Sequence, residues 1–297
     1  MTFNIQQHLR RGRSNRPTNR PTNLRFSLIP AAALLLGALA AAQTAPKIAK
    51  LQPPAPERDA AAIALAQKAL AALGPAVGAV RLEGAGQWTR NSGAHAGQVV
   101  LEALGTQRSR VDAEDAAGGG SRVETFGLDG HGRASGRWQG PDGIAHHHAT
   151  HNEFVPAVWF FPALSPLAQI ADPHASITYV GPGTLDGKAV EHLRFSRAAF
   201  AGTPAALKLE ASLSQVEIYL DASSFLPVAL TYNVHPDKGL RVNLPITVTF
   251  GDYRQAPNGG MVPYHLERHI AGSLDLSFDL QQINFAPGLA AAAFDPQ

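Results

Sequence analysis

Four histidines crowd one short stretch, His146-His147-His148-Ala149-Thr150-His151. On an extended strand His146 and His148 point to one face and His147 to the other, and His151 joins either side if a bend follows. Two same-face imidazoles with a third are ligand chemistry for zinc or copper. Four such groups also titrate in the range of a pH sensor. Neither Cys nor a carboxylate stands at a familiar zinc spacing beside them. The stretch therefore reads first as a polar strand end running into Asn152-Glu153, and no metal is assigned to His146, His148 or His151.

A second cluster is apolar. Trp159-Phe160-Phe161 and Leu164 lie in a proline-broken segment, Pro156 to Ala171. Aromatic side chains in such a segment supply buried area. They serve either as core filler or as the wall of a pocket for a hydrophobic ligand. Trp159, Phe160, Phe161 and Leu164 are the candidate ligand-binding residues.

Other chemistry is thinly represented. The chain has no Cys, which removes disulfides and thiol nucleophiles. It has no G-x-S-x-G elbow, no H-E-x-x-H and no phosphate loop. Gly127 to Gly132 breaks the dinucleotide-binding spacing and reads as a hairpin turn. The expectation is a protein that is not an enzyme and carries no cofactor.

The elements that must position these residues begin after a leader. Six arginines lie in the first 25 residues, and all 23 acids lie beyond residue 42. Taking those six from 25 bases leaves 19 against 23 acids, a body at −4. A cationic surface for nucleic acid is therefore not expected. Residues 26–42 are a short apolar run ending in Ala40-Ala41-Ala42, the pattern of a secretory signal. With Pro30 inside it, the run is short for a spanning helix of about 20 residues. Residues 1–42 read as a signal peptide and the body as periplasmic or otherwise exported. The alternative is an anchor in the inner membrane through 26–42, the one route to membrane contact. Residues 43–56 hold four prolines and read as a linker.

Residues 57–74 read as a helix with Ile63, Ala66, Leu70 and Leu73 on its apolar stripe, stopped by Gly74-Pro75. From Val80 the period changes to two. Val216, Ile218 and Leu220 alternate with polar partners, as do Val228 to Val234 and Ile246 to Phe250. Leu274, Leu276, Phe278 and Leu280 alternate with Asp275, Ser277, Asp279 and Gln281. One apolar and one wet face belong to an antiparallel sheet, and Asp129-Gly130, Asp142-Gly143 and Asp186-Gly187 mark hairpins. The 156–171 and 198–213 segments read as helical pieces on its inner face. The fold expected is mainly β (α+β): a strongly curved antiparallel half-barrel sheet covered by an N-terminal helix and a short helical lid segment.

Tyr219-Leu220-Asp221 … Leu226-Pro227 and Phe250-Gly251-Asp252-Tyr253 … Asn258-Gly259 … Val262-Pro263 resemble consecutive hairpins of the LolA-like periplasmic lipoprotein-carrier superfamily. WFFPAL and NVHP resemble a narrower bacterial branch of it. The resemblance covers residues 57–297 and implies a single LolA-like β domain around an apolar cavity. It implies a hydrophobic small molecule, acyl chain or lipoprotein as ligand. An envelope scaffold or sensor that binds another protein is the alternative, and a metal-binding role for the histidines is a further one.

Overall fold

The structure is a computed structural model that describes residues 55–295 except 91–92, 119, 130, 140–143 and 198–202. The signal reading for residues 1–42, the linker reading for 43–56 up to residue 54, Gly130 of the Asp129-Gly130 turn and the Asp142-Gly143 turn lie outside the described residues.

Among the described residues thirteen strands form one open antiparallel sheet. In chain order they are β1 (Ala79–Arg90), β2 (Gly93–Leu104), β3 (Arg108–Asp115), β4 (Arg122–Leu128), β5 (Ala134–Gln139), β6 (Ala145–His147), β7 (Ala175–Leu185), β8 (Lys188–Arg197), β9 (Val216–Asp221), β10 (Pro227–Val234), β11 (Leu244–Gln255), β12 (Met261–Ile270) and β13 (Ser273–Asn284). Their order across the sheet is β6-β5-β4-β3-β2-β1-β13-β12-β11-β10-β9-β8-β7. Two meanders therefore meet where β1 pairs with β13.

Sequence alternation explains the inner face. Val216, Ile218 and Leu220 of β9 are buried while the residues between them are not. Ile246, Val248 and Phe250 of β11 repeat the pattern. Asp186 and Gly187 both take positive φ, 48° and 78°, in the tight β7–β8 turn, the geometry that favours Asp-Gly in hairpins.

The sheet is curled. Neighbouring strands lie ~4.8 Å apart, so five steps from β4 to β12 span ~24 Å in a flat sheet. Yet Arg268 of β12 donates to Glu124 of β4 at 2.8 and 2.9 Å. Only a strongly concave sheet lets those side chains meet.

Two elements cover the concavity. Helix α1 (Ala60–Leu73) starts at Asp59, whose carboxylate accepts the Ala61 N–H at 2.8 Å, and ends at Gly74 with φ 95°. It buries Ala62, Ala66, Ala69 and Leu73, with Ile63 and Leu70 at the flank of the contact. The stripe is thus turned toward alanines relative to the sequence expectation. Alanine lets the helix backbone approach closely, and a Cβ on Gly74 would stand 2.7 Å from Gly260 Cα in the β11–β12 turn. The second cover is the 150–171 segment, which holds 3-10 turns at Thr150–Asn152, Pro162–Leu164 and Pro166–Gln169. Its prolines limit it to single turns.

Helix α2 (Pro204–Leu213) sits between β8 and β9 with Thr203 as its N-cap. The edge strand β7 is not bare: Asp59 N–H donates to the Ile177 carbonyl at 2.9 Å, and Ile177 N–H to the Glu57 carbonyl at 2.8 Å. The chain entering α1 therefore blunts an edge that would otherwise template pairing. Among the described residues no helix is long and apolar enough to cross a membrane.

Candidate functional site

The site is organised by β4. Residues two apart on a strand share a face, so Arg122, Glu124, Phe126 and Leu128 all project inward. Arg122 and Glu124 line a cleft of about 940 Å³, Leu128 lines a smaller cavity of about 490 Å³, and Phe126 lines both. Val155 of the cover also borders both spaces. Phe126 and Val155 are therefore the partition.

The floor of the cleft is ionic. Arg268 Nε donates to Asp275 at 2.6 Å, and its two Nη groups reach Glu124. Arg122 Nη1 donates to Asp275 at 2.8 Å and pairs with Glu124. Two cations and two anions close a neutral ring with little solvent contact. Burial pushes the Glu124 carboxyl up, but Arg122 and Arg268 outweigh it and hold the pKa far below the ordinary range. Burial likewise opposes the Arg268 charge, but Asp275 and Glu124 raise its pKa further. Nearby Tyr232 is raised by burial. The Trp159 ring faces the Arg268 guanidinium at 4.2 Å, a cation–π contact in a desolvated place.

Histidines form the opposite wall. His146 stacks on Trp138 with centroids 4.1 Å apart, and His148 meets Phe126 edge-on at 4.7 Å. His147 completes the wall. Burial lowers the His148 pKa, against the pull of Glu124. His151 leaves this group: its Nε2 donates to the His235 carbonyl at 3.2 Å, beside Asn152, which also bonds there. Among the described residues no three His, Asp or Glu side chains converge as a metal-binding group.

The sequence-predicted ligand residues divide. Trp159 stands on the cleft wall. Phe160, Phe161 and Leu164 are buried in the main core and line neither space. The smaller cavity is instead walled by Phe126, Leu128, Phe154, Val155, Pro156 and Phe195, with Arg133, Glu153 and Arg197 among its polar members. Burial raises the Glu153 pKa.

Sequence reasoning missed the ionic ring. Asp275 was expected on the wet face of β13. The β12–β13 register slips at this point, with Arg268 opposite Leu276 and His269 opposite Leu274, so Asp275 is the extra residue of a bulge. A bulge re-aims one side chain, and this one turns Asp275 inward, where it is buried. Arg268 shares a face with Val262 and Leu266, both buried, a signal that was present in the β12 sequence.

The architecture is an open antiparallel sheet, curled and covered on its concave face by one helix and a proline-broken strap. This fold is similar to that of a solved structure. A DUF1329 family protein from Desulfovibrio piger is similar in structure, with a TM-score of 0.51 at 10% identity over 80% of this chain and 98% of that one. A LolA superfamily protein from Nitrosomonas europaea matches at TM-score 0.47 and 13% identity, over 79% of this chain and 97% of that one. A putative outer membrane lipoprotein-sorting protein domain from Vibrio parahaemolyticus matches at 0.48 and 13%, over 79% and 96%. At these identities the likeness is one of fold alone. No family model and no curated protein matches the chain.

Proposed function

We propose that residues 57–297 form a single exported domain, not an enzyme, that binds a hydrophobic ligand between the LolA-like sheet and its cover. The observation that carries this reading is the cavity of about 490 Å³ walled by Phe126, Leu128, Phe154, Val155, Pro156 and Phe195. Its size falls within the ~300–1,000 Å³ typical of ligand pockets. Burying ~300 Å² of apolar ligand surface would supply up to ~7 kcal/mol before ordering costs. The occupant is an acyl chain or similar apolar group, carried free or on a lipid or lipoprotein. Entry requires movement of the 156–171 segment. Trp159 meets the ligand from the cleft side, while Phe160, Phe161 and Leu164 hold the cover down. The cationic residues 1–25 and the apolar run after them direct export.

The test is detergent-free purification followed by native mass spectrometry, together with titration of a fluorescent fatty acid. Retained lipid or saturable binding supports the reading. A protein that carries no lipid and leaves the probe free overturns it.

A further inference from the structure

The inner face of β4 changes character along its length. Arg122 and Glu124 stand in the neutral ionic ring, Phe126 is the partition, and Leu128 belongs to the apolar cavity. At ~3.4 Å per residue the step from Glu124 to Leu128 is ~14 Å. A molecule lying along this face passes from charge to hydrocarbon in that distance. The cleft before Phe126 has about twice the volume of the cavity beyond it. The cleft is thus the larger and the more polar of the two spaces.

The cleft's charges say which head fits. An anion alone must approach Glu124 and Asp275, both already committed to arginines. A cation alone must approach Arg122 and Arg268. A head with both signs can lie against the ring without an unmatched charge. At the exposed mouth the balance tips, because Asp237 is an acid outside the ring. Trp138, 37% exposed, stands on the same cleft. An acid and an indole face are the surroundings a quaternary or primary ammonium seeks.

We infer that the cleft is the head-group half of the ligand site, built for a single-chain amphiphile whose zwitterionic head holds its anionic group inward and its ammonium outward at Asp237 and Trp138. This rests on the proposed hydrophobic-ligand function and adds to it a ligand class and an orientation. The chain passes Phe126 and Val155 into the apolar cavity. Gly136 gives this partition its room: a Cβ there would stand 2.9 Å from the Phe126 ring and 3.1 Å from His148 Nδ1.

The test is displacement of a bound fluorescent fatty acid from the full chain by four competitors with one hexadecyl chain and different heads. They are hexadecylphosphocholine, palmitate, hexadecyltrimethylammonium and hexadecanol, each below its micelle concentration. The zwitterion is expected to displace at about tenfold lower concentration than palmitate. Asp237→Lys and Trp138→Leu, both at exposed positions, are each expected to remove most of that advantage, read as the ratio of zwitterion to hexadecanol displacement within each variant. Equal displacement by all four heads, or an unaltered ranking in both variants, overturns the head-group assignment while the hydrophobic-ligand function stands. Failure of the wild type to bind the fatty acid or any competitor overturns both.

Discussion

Arg268 and Glu124 meet as a forked pair, Nη1 to Oε2 at 2.9 Å and Nη2 to Oε1 at 2.8 Å, across a concavity that five strand steps enclose. The pair therefore reports curvature as well as charge. It joins the two meanders across the concave face, and Asp275 and Arg122 complete it. A buried pair contributes little net stability when compared with well-packed apolar residues, but removing one partner strands the other.

Arg268→Met leaves Glu124 and Asp275 facing only Arg122. The expected cost is about 3–5 kcal/mol, read from urea unfolding. Adding Glu124→Gln to that variant should recover part of the loss, because one stranded charge is gone. A double variant as unstable as the sum of its two single changes would contradict this coupling.

The ring also sets an acid limit. The Glu124 pKa is depressed in the folded state from its ordinary 4.5. The unfolded chain then takes up the proton first, so stability from this group is present above about pH 4.5 and is lost as pH falls toward the depressed value. The stability gap between wild type and Glu124→Gln should stay constant from neutral pH to about pH 5 and narrow progressively below it, toward about pH 3. His265 acts with the opposite sign. Its Nδ1 lies 2.7 Å from Asp279, and that bond raises its pKa above 6.5. Its contribution is present below that value and is lost as pH rises through the raised one. The pair is well exposed, so the effect should be a few tenths of a kcal/mol, visible by NMR titration of the imidazole and reduced in Asp279→Asn, where Glu267 remains beside the ring.

Gly127 lies on the other face of β4 from Phe126, against the 3-10 turn Ala291–Phe294. A Cβ there would sit 2.1 Å from the Phe294 carbonyl oxygen. Gly127→Ala should release that turn and expose Phe294, which is now fully buried. Hydrogen exchange at residues 291–295 is expected to quicken while exchange in β9–β11 stays as it was.

These expectations show which parts of the molecule its sequence displays. Val216, Ile218 and Leu220 announce a strand because their burial repeats locally every two residues. The Asp186-Gly187 turn is equally local, since both residues must accept positive φ. The ionic ring is not local. Glu124 and Arg268 are 144 residues apart, and nothing in the short stretch around either one names the other. Asp275 misled because strict alternation assumes an unbroken register, and a bulge breaks it. In helix α1, Ala66 and Leu73 are buried as the stripe requires, but Ala62 and Ala69 take the places of Ile63 and Leu70, because alanine counts little in a hydrophobic pattern while its small size fixes the closest approach. The Trp159-to-Leu164 run was visible as apolar and aromatic. Which of its members faces open space depends on where the strap turns, and the prolines place those turns.

Phe126 and Phe160 separate binding from packing. Phe160 is fully buried, and its ring stands 5.4 Å from Trp159 in an edge-on contact. Phe160→Ala removes a ring from a filled interior, so about 3–5 kcal/mol of stability should go. Ligand affinity per folded molecule should change little, since Phe160 lines neither space. Phe126 borders open volume on two sides, so fewer atoms lose a partner when it is truncated. Phe126→Ala is expected to cost less, about 2–3 kcal/mol, while it joins the cleft to the apolar cavity. Competitors of increasing chain length should then bind with an optimum shifted to longer chains. A shifted optimum in Phe160→Ala instead, with Phe126→Ala unchanged, would move the ligand from the β4 face to the core beneath the strap.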